Sequence, residues 1–178
     1  QAQMKLLICA WIFFCTSSLS FAATLPGEPK MYWTPEARDA YALVSALRVD
    51  EGLTQIRLHA ITEPDNYIWP YLEDYAEFLR IFVQEDMRKI PAFLAASVQR
   101  QSKIEAVPES NPLSLMAQGQ ILLHQCALHL QQGQFIAAAT DINQSFKLLR
   151  KNQKLHPNDV ANLRLYASLK VAFGAVPD

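Results

Sequence analysis

Between Tyr67 and Val83 the chain reads YIWPYLEDYAEFLRIFV, its most aromatic and most regular stretch. Ile68, Tyr71, Leu72, Tyr75, Phe78, Leu79, Phe82 and Val83 recur at steps of three and four, which places them on one broad side of an α-helix. Glu73, Asp74, Glu77 and Arg80 fall opposite. A lone helix cannot keep a row of four aromatic rings dry, so the stretch predicts a core helix lying in a groove between other helices. Phe78 and Phe82 are expected to be buried and the charged side solvated.

The rest of the chain supplies those other helices. Thr34-Pro35-Glu36 is a helix start, with threonine as N-cap, proline at the first helical position and an acid in the first turn. Ala37, Ala40, Tyr41, Val44 and Leu47 form its apolar stripe. Asp50-Glu51 followed by Leu53, Ile56 and Ala60 predicts a second helix that Pro64 ends, and the two make an antiparallel hairpin. The aromatic helix is entered at Asp65 or Asn66, with Pro70 in its first turn. Ile90, Phe93, Leu94, Ser97 and Val98 begin a fourth helix that runs to Ile104 and that Pro91 shortens or kinks. Asn111-Pro112 opens a fifth, carrying Leu115, Met116, Leu122, Leu123, Cys126 and Leu130 and closed by Gly133. A sixth extends from Phe135 to His156-Pro157, and a seventh from Asp159 to about Phe173. No stretch alternates with period two and no Asn-Gly or Asp-Gly turn occurs, so the fold class is all-α, with antiparallel helix hairpins stacked in series.

Residues 1–22 read as a secretory signal peptide: Met4-Lys5, a short apolar run from Leu6 to Cys15, and an exit at Ser20-Phe21-Ala22 with small residues at the −3 and −1 positions. The run is about half of what a bilayer span requires, so stable membrane insertion is not expected after cleavage. Residues 23–33, with Pro26, Gly27 and Pro29, form an irregular leader, and residues 34–178 a single helical-repeat domain. An exported chain in the periplasm or cell envelope is the expectation. Cys9 and Cys15 leave with the signal, so Cys126 alone remains, no internal disulfide can form, and stability must come from packing. A net charge of −1 gives no reason to expect nucleic acid or a membrane surface as partner.

His124, Cys126 and His129 are the one cluster of metal-ligand side chains. Cys126 and His129 share a helix side but His124 points elsewhere, so neither a metal centre nor any other cofactor is expected. Cys126 within an apolar stripe reads as inert core rather than nucleophile. Glu73 and Glu77 stand one turn apart, yet acids beside an aromatic row are ordinarily a solvated face, so catalysis is not expected there. Lys147, Arg150, Lys151 and Lys154 make a basic stripe near the end of the sixth helix; it suits a helix C-terminus and solubility, or else an acidic partner. Tyr32 and Trp33 are read as a hydrophobic lid on the first helix.

From Trp33 to Asn66 the spacing resembles a tetratricopeptide repeat, with Ala40, Val49, Ile56 and Pro64 at the eighth, seventeenth, twenty-fourth and thirty-second positions. It departs from the motif at Gly52, where alanine is usual, and at Glu36, where an aromatic is usual. Gly133-x-Phe135-x-x-Ala138 is similar to the inter-helix turn of another such repeat. Together with YLEDYAEFL, Leu148 to Pro157 and the closing GAVPD, these residues resemble the first part of exported tetratricopeptide-like proteins of Bacteroidetes. The resemblance implies a short solenoid that continues beyond Asp178 and carries no assigned activity; the concave surface of a stacked helix array is what points to binding of a protein or peptide without catalysis. The alternative is the N-terminal helical domain of a larger envelope enzyme or sugar-handling protein.

Overall fold

The computed structural model describes residues 28–172, so the signal-peptide reading, the first part of the leader and residues 173–178 lie outside the described residues. Seven α-helices follow one another: α1 Pro35–Ser45, α2 Val49–Thr62, α3 Ile68–Gln84, α4 Ile90–Glu105, α5 Pro112–Gln131, α6 Phe135–Leu155 and α7 Val160–Ala172. A short 3-10 turn, Met87–Lys89, leads into α4. Apart from an isolated bridge between Lys30 and Asn66, the described residues hold no β-structure. The protein is all-α.

The helix limits follow from local chemistry. Thr34 Oγ1 accepts from the Ala37 amide at 3.1 Å, and Asn111 Oδ1 accepts from the Leu113 amide at 3.0 Å, each just ahead of a proline whose missing N–H costs nothing. Pro91 also sits in a first turn, and α4 runs unbroken past it. The expected cap of α3 is displaced by one residue: Tyr67 occupies the N-cap position, while Asn66 Oδ1 still reaches the Ile68 amide at 3.3 Å.

Two of the turns close in the same way. After α1, Leu47 takes φ 62° while the Arg48 amide reaches Leu43 O and the Leu47 amide reaches Val44 O. After α5, Gly133 takes φ 71° while the Gln134 amide reaches His129 O and the Gly133 amide reaches Leu130 O. Both are Schellman closures. Glycine adopts that backbone freely, whereas a leucine there costs on the order of 1 kcal/mol. The same geometry lifts Leu47 off the helix, so it is exposed rather than part of the α1 stripe.

Each helix packs on the next, and the further substantial contacts among the described residues run between odd-numbered helices: α1 with α3, α3 with α5, α5 with α7. The main core joins Ala37, Ala40 and Val44 of α1, Leu53 and Ile56 of α2, and Ile68, Trp69, Leu72 and Ala76 of α3, with Ala117 and Ile121 of α5. Smaller clusters continue it at Ile81, Phe93 and Leu128 and at Met116, Leu149 and Leu169. The segment before α1 is tied down: Met31 is buried, its carbonyl accepts from Asn111 Nδ2 at 2.7 Å, and Lys30 and Tyr32 both bond to the 65–67 segment.

Gly52 explains one departure from the repeat pattern. A Cβ on it would stand 2.5 Å from Val44 Cγ2 and 3.2 Å from Ala40 O, so the closest crossing of α1 and α2 leaves no room for the usual alanine. Gly52→Ala is expected to cost about 1–3 kcal/mol by overpacking, although alanine is the better helix former. A urea melt in which this variant equals or exceeds the parent in stability would show that the two helices can part freely.

The central helix differs from expectation in which sides it buries. Asp74 is 0 % exposed and Glu77 is buried, whereas Phe82 is 43 % exposed and Phe78 only half-buried. The reason is position: α3 touches α1, α2, α4 and α5, so most of its circumference is covered. Ile68, Leu72 and Ala76 pack in the core shared with α1 and α2, the charged side chains meet partners from α2, α4 and α5, and Tyr75, Phe78 and Phe82 are left toward the edge. Leu130 and Val98 are likewise exposed, outside the cores formed by their helices.

Candidate functional site

A cavity of about 420 Å3 lies along the odd-numbered helices. Trp33 borders it ahead of α1, and Tyr41 enters from α1, Tyr71 from α3, Met116 and Gln120 from α5, and Ala161, Arg164, Leu165 and Ser168 from α7. A larger hollow of about 560 Å3 is lined by Gln84, Glu85, Asp86, Met87 and Arg88 alone, a dent in one surface turn, so it does not compete as a site.

Three aromatic rings line the groove, Trp33, Tyr41 and Tyr71, and a row of stacked rings runs on from Tyr41. Trp33 meets Tyr41 edge-on with centroids 5.5 Å apart, and Tyr41 stacks on Tyr75 at 5.6 Å. From Tyr75 the row passes to His124 at 5.8 Å, from His124 to Phe78 at 4.5 Å and from Phe78 to Phe82 at 5.4 Å. Tyr71, Tyr75, Phe78 and Phe82 share one side of α3, and Tyr71 of that row lines the cavity. Trp33 is thus both a cover for α1 through Tyr41 and part of the groove wall. The Tyr71 hydroxyl donates to Gln120 Oε1 at 2.7 Å. Burial pushes its phenol well above the ordinary value, and burial also raises Tyr75, opposed by a hydrogen bond with Ser45.

Behind this wall lies a charged network that the sequence pattern did not foretell. His124 Nδ1 and Asp74 Oδ2 are 2.9 Å apart, both buried. A carboxylate only accepts, so Nδ1 carries the hydrogen. Arg100 Nη1 stands 3.6 Å from Asp74 Oδ1 and its Nε 3.5 Å from Glu73. Arg57 reaches Glu73 at 3.2 Å and Glu77 at 2.7 Å, and Arg80 pairs with Glu77. Glu73 and Glu77 are therefore held by arginines from α2, α3 and α4.

The other residues singled out by sequence are dispersed. His124 binds Asp74 on α3, whereas His129 binds Asp141 on α6 at 2.7 Å. Among the described residues no group of three or more His, Cys, Asp and Glu is disposed to hold a metal ion. Cys126 is buried, and burial, with Asp141 nearby, pushes its thiol above the ordinary value, away from the thiolate. Lys147, Arg150, Lys151 and Lys154 are all exposed on α6 and none lines the groove; Lys151 Nζ is paired with Glu109 at 2.6 Å. No helix among the described residues is long and apolar enough to cross a membrane.

Comparison with known proteins finds no match. No family model fits the chain, and neither the curated proteins nor the solved structures contain a match to it. The groove therefore rests on its own geometry. Its wall was legible as an aromatic row, but Gln120 and Arg164 carried no sequence signal, because a lone glutamine and a lone arginine on two different helices acquire meaning only when the helices are brought together.

Proposed function

We propose that this chain is an exported helical-repeat scaffold, in the periplasm or cell envelope, that binds a protein or peptide segment in the groove of its odd-numbered helices and does no catalysis. The single observation that carries this reading is that α1, α3, α5 and α7 all contribute side chains to one cavity, with Trp33, Tyr41 and Tyr71 as its aromatic lining. Paired helices whose first members line a common concave surface are the arrangement by which tetratricopeptide-like stacks present a peptide site. Two features support that stacking: the contacts between alternate helices, and the matching Schellman closures at the turns of α1–α2 and α5–α6. Against catalysis stand the arginine-held Glu73 and Glu77 and the buried Cys126.

The test is photocrosslinking in cells that export the protein. A p-benzoylphenylalanine placed at Tyr41, in the groove, should capture a defined partner that the same group at exposed Thr54 of α2 does not. Equal capture at both positions, or none at Tyr41, would sink the groove as a binding site. The basic stripe is a second candidate surface on a different face: if Lys147, Arg150, Lys151 and Lys154 take an acidic partner, Lys147→Glu with Lys151→Glu should remove a captured protein in a salt-dependent manner. Unchanged partner profiles at low and high salt would leave the stripe as a solubilising surface.

A further inference from the structure

The groove lining has an uneven chemistry. Among the described residues its single charged side chain is Arg164, and none of them brings a carboxylate to the cavity. A guanidinium only donates hydrogen bonds, and Gln120 has its carbonyl oxygen engaged by the Tyr71 hydroxyl, so its amide N–H groups are the part left to a ligand. Arg164 forms no ion pair among the described residues and is exposed at the rim, on the α7 side of the cavity. Opposite it stand Trp33 and Tyr41, whose ring faces offer apolar contact. A ligand that fits must bring acceptors to one side and apolar surface to the other.

Resting on the peptide-groove reading, we propose that Arg164 is a specificity-determining residue that selects an extended peptide carrying an aspartate or glutamate side chain, with an apolar neighbour against Trp33 and Tyr41. Arginine and carboxylate form paired, charge-assisted hydrogen bonds, and Gln120 adds a donor within the same cavity. We assign the acid to a side chain within the peptide, because the groove wall consists of helix side chains and none of its described lining is a nest of backbone amides, a recurring device for holding free chain ends.

The test is selection of random dodecapeptides displayed on phage against the protein, followed by titration of the enriched sequences as N-acetylated, C-amidated peptides. Enriched peptides should share an aspartate or glutamate and should lose tenfold or more in affinity on Arg164→Glu. Replacing that acid by its amide should cost a similar factor on the parent and little on the variant, the signature of a direct pair. Arg164 is exposed, so the variant should keep its fold, which circular dichroism checks. Peptides that lose binding on Tyr41→Ala but not on Arg164→Glu would overturn the acid selection and leave the groove standing. Binding restored only by a free C-terminus would overturn the side-chain assignment. If neither variant changes binding, or no peptide is enriched, both the groove and this proposal fail.

Discussion

Asp74→Ala is expected to lower stability by about 3–5 kcal/mol in urea melts, a large part of the margin of a domain this size. The carboxylate is fully buried, takes the His124 Nδ1–H at 2.9 Å and faces Arg100 Nη1 at 3.6 Å. Removing it leaves a mostly buried guanidinium whose remaining ionic partner among the described residues is Glu73, and an imidazole N–H with no acceptor. Deleting one member of a buried pair costs more than the pair itself contributes, since the abandoned group has already lost its water. Asp74→Asn keeps volume and one acceptor and should cost distinctly less. A loss below about 1 kcal/mol for the alanine variant would mean that water already serves Arg100 and His124. The same variant should loosen the groove wall, because His124 stacks on both Tyr75 and Phe78.

Trp69→Ala is the other large effect, again about 3–5 kcal/mol. The indole is 1 % exposed at the centre of the main core, its N–H donates to Glu63 Oε2 at 3.2 Å, and its ring stacks on His59 at 5.2 Å. Truncation would open a cavity where α2 and α3 meet and strand a carboxylate that also holds Asn66 Nδ2 at 3.1 Å. Because Asn66 in turn brackets Tyr32, the segment before α1 should loosen as well. Thermal melts of Trp69→Ala and Trp69→Phe separate the two contributions: phenylalanine should recover most of the packing and lose the hydrogen bond, worth about 1 kcal/mol. If the phenylalanine variant is as unstable as the alanine one, the bond to Glu63 matters more than the volume.

Residues that act within a few positions of themselves were readable in order along the chain. Thr34 with Pro35, Asn111 with Pro112 and Gly133 each fix a helix end through bonds spanning no more than five residues, so the helix limits follow from the sequence. Periodicity likewise marked Ala40, Val44, Ile56, Leu72 and Leu115 as core, and they are buried. What periodicity cannot state is how many neighbours a helix has. Tyr71, Asp74, Glu77 and Phe82 were sorted by polarity into an inside and an outside, which holds for a helix covered on one side only. On α3 the acids went inside because Arg57, Arg100 and His124 arrive from α2, α4 and α5, the last from 50 residues away, and the aromatic row was left to form a wall. The groove has the same origin: Trp33 was legible only as a lid and Tyr41 only as part of an apolar stripe, Gln120 and Arg164 carried no signal, and the four become one surface only when alternate helices stack, since proximity across a stack is a property of tertiary packing and not of spacing along the chain.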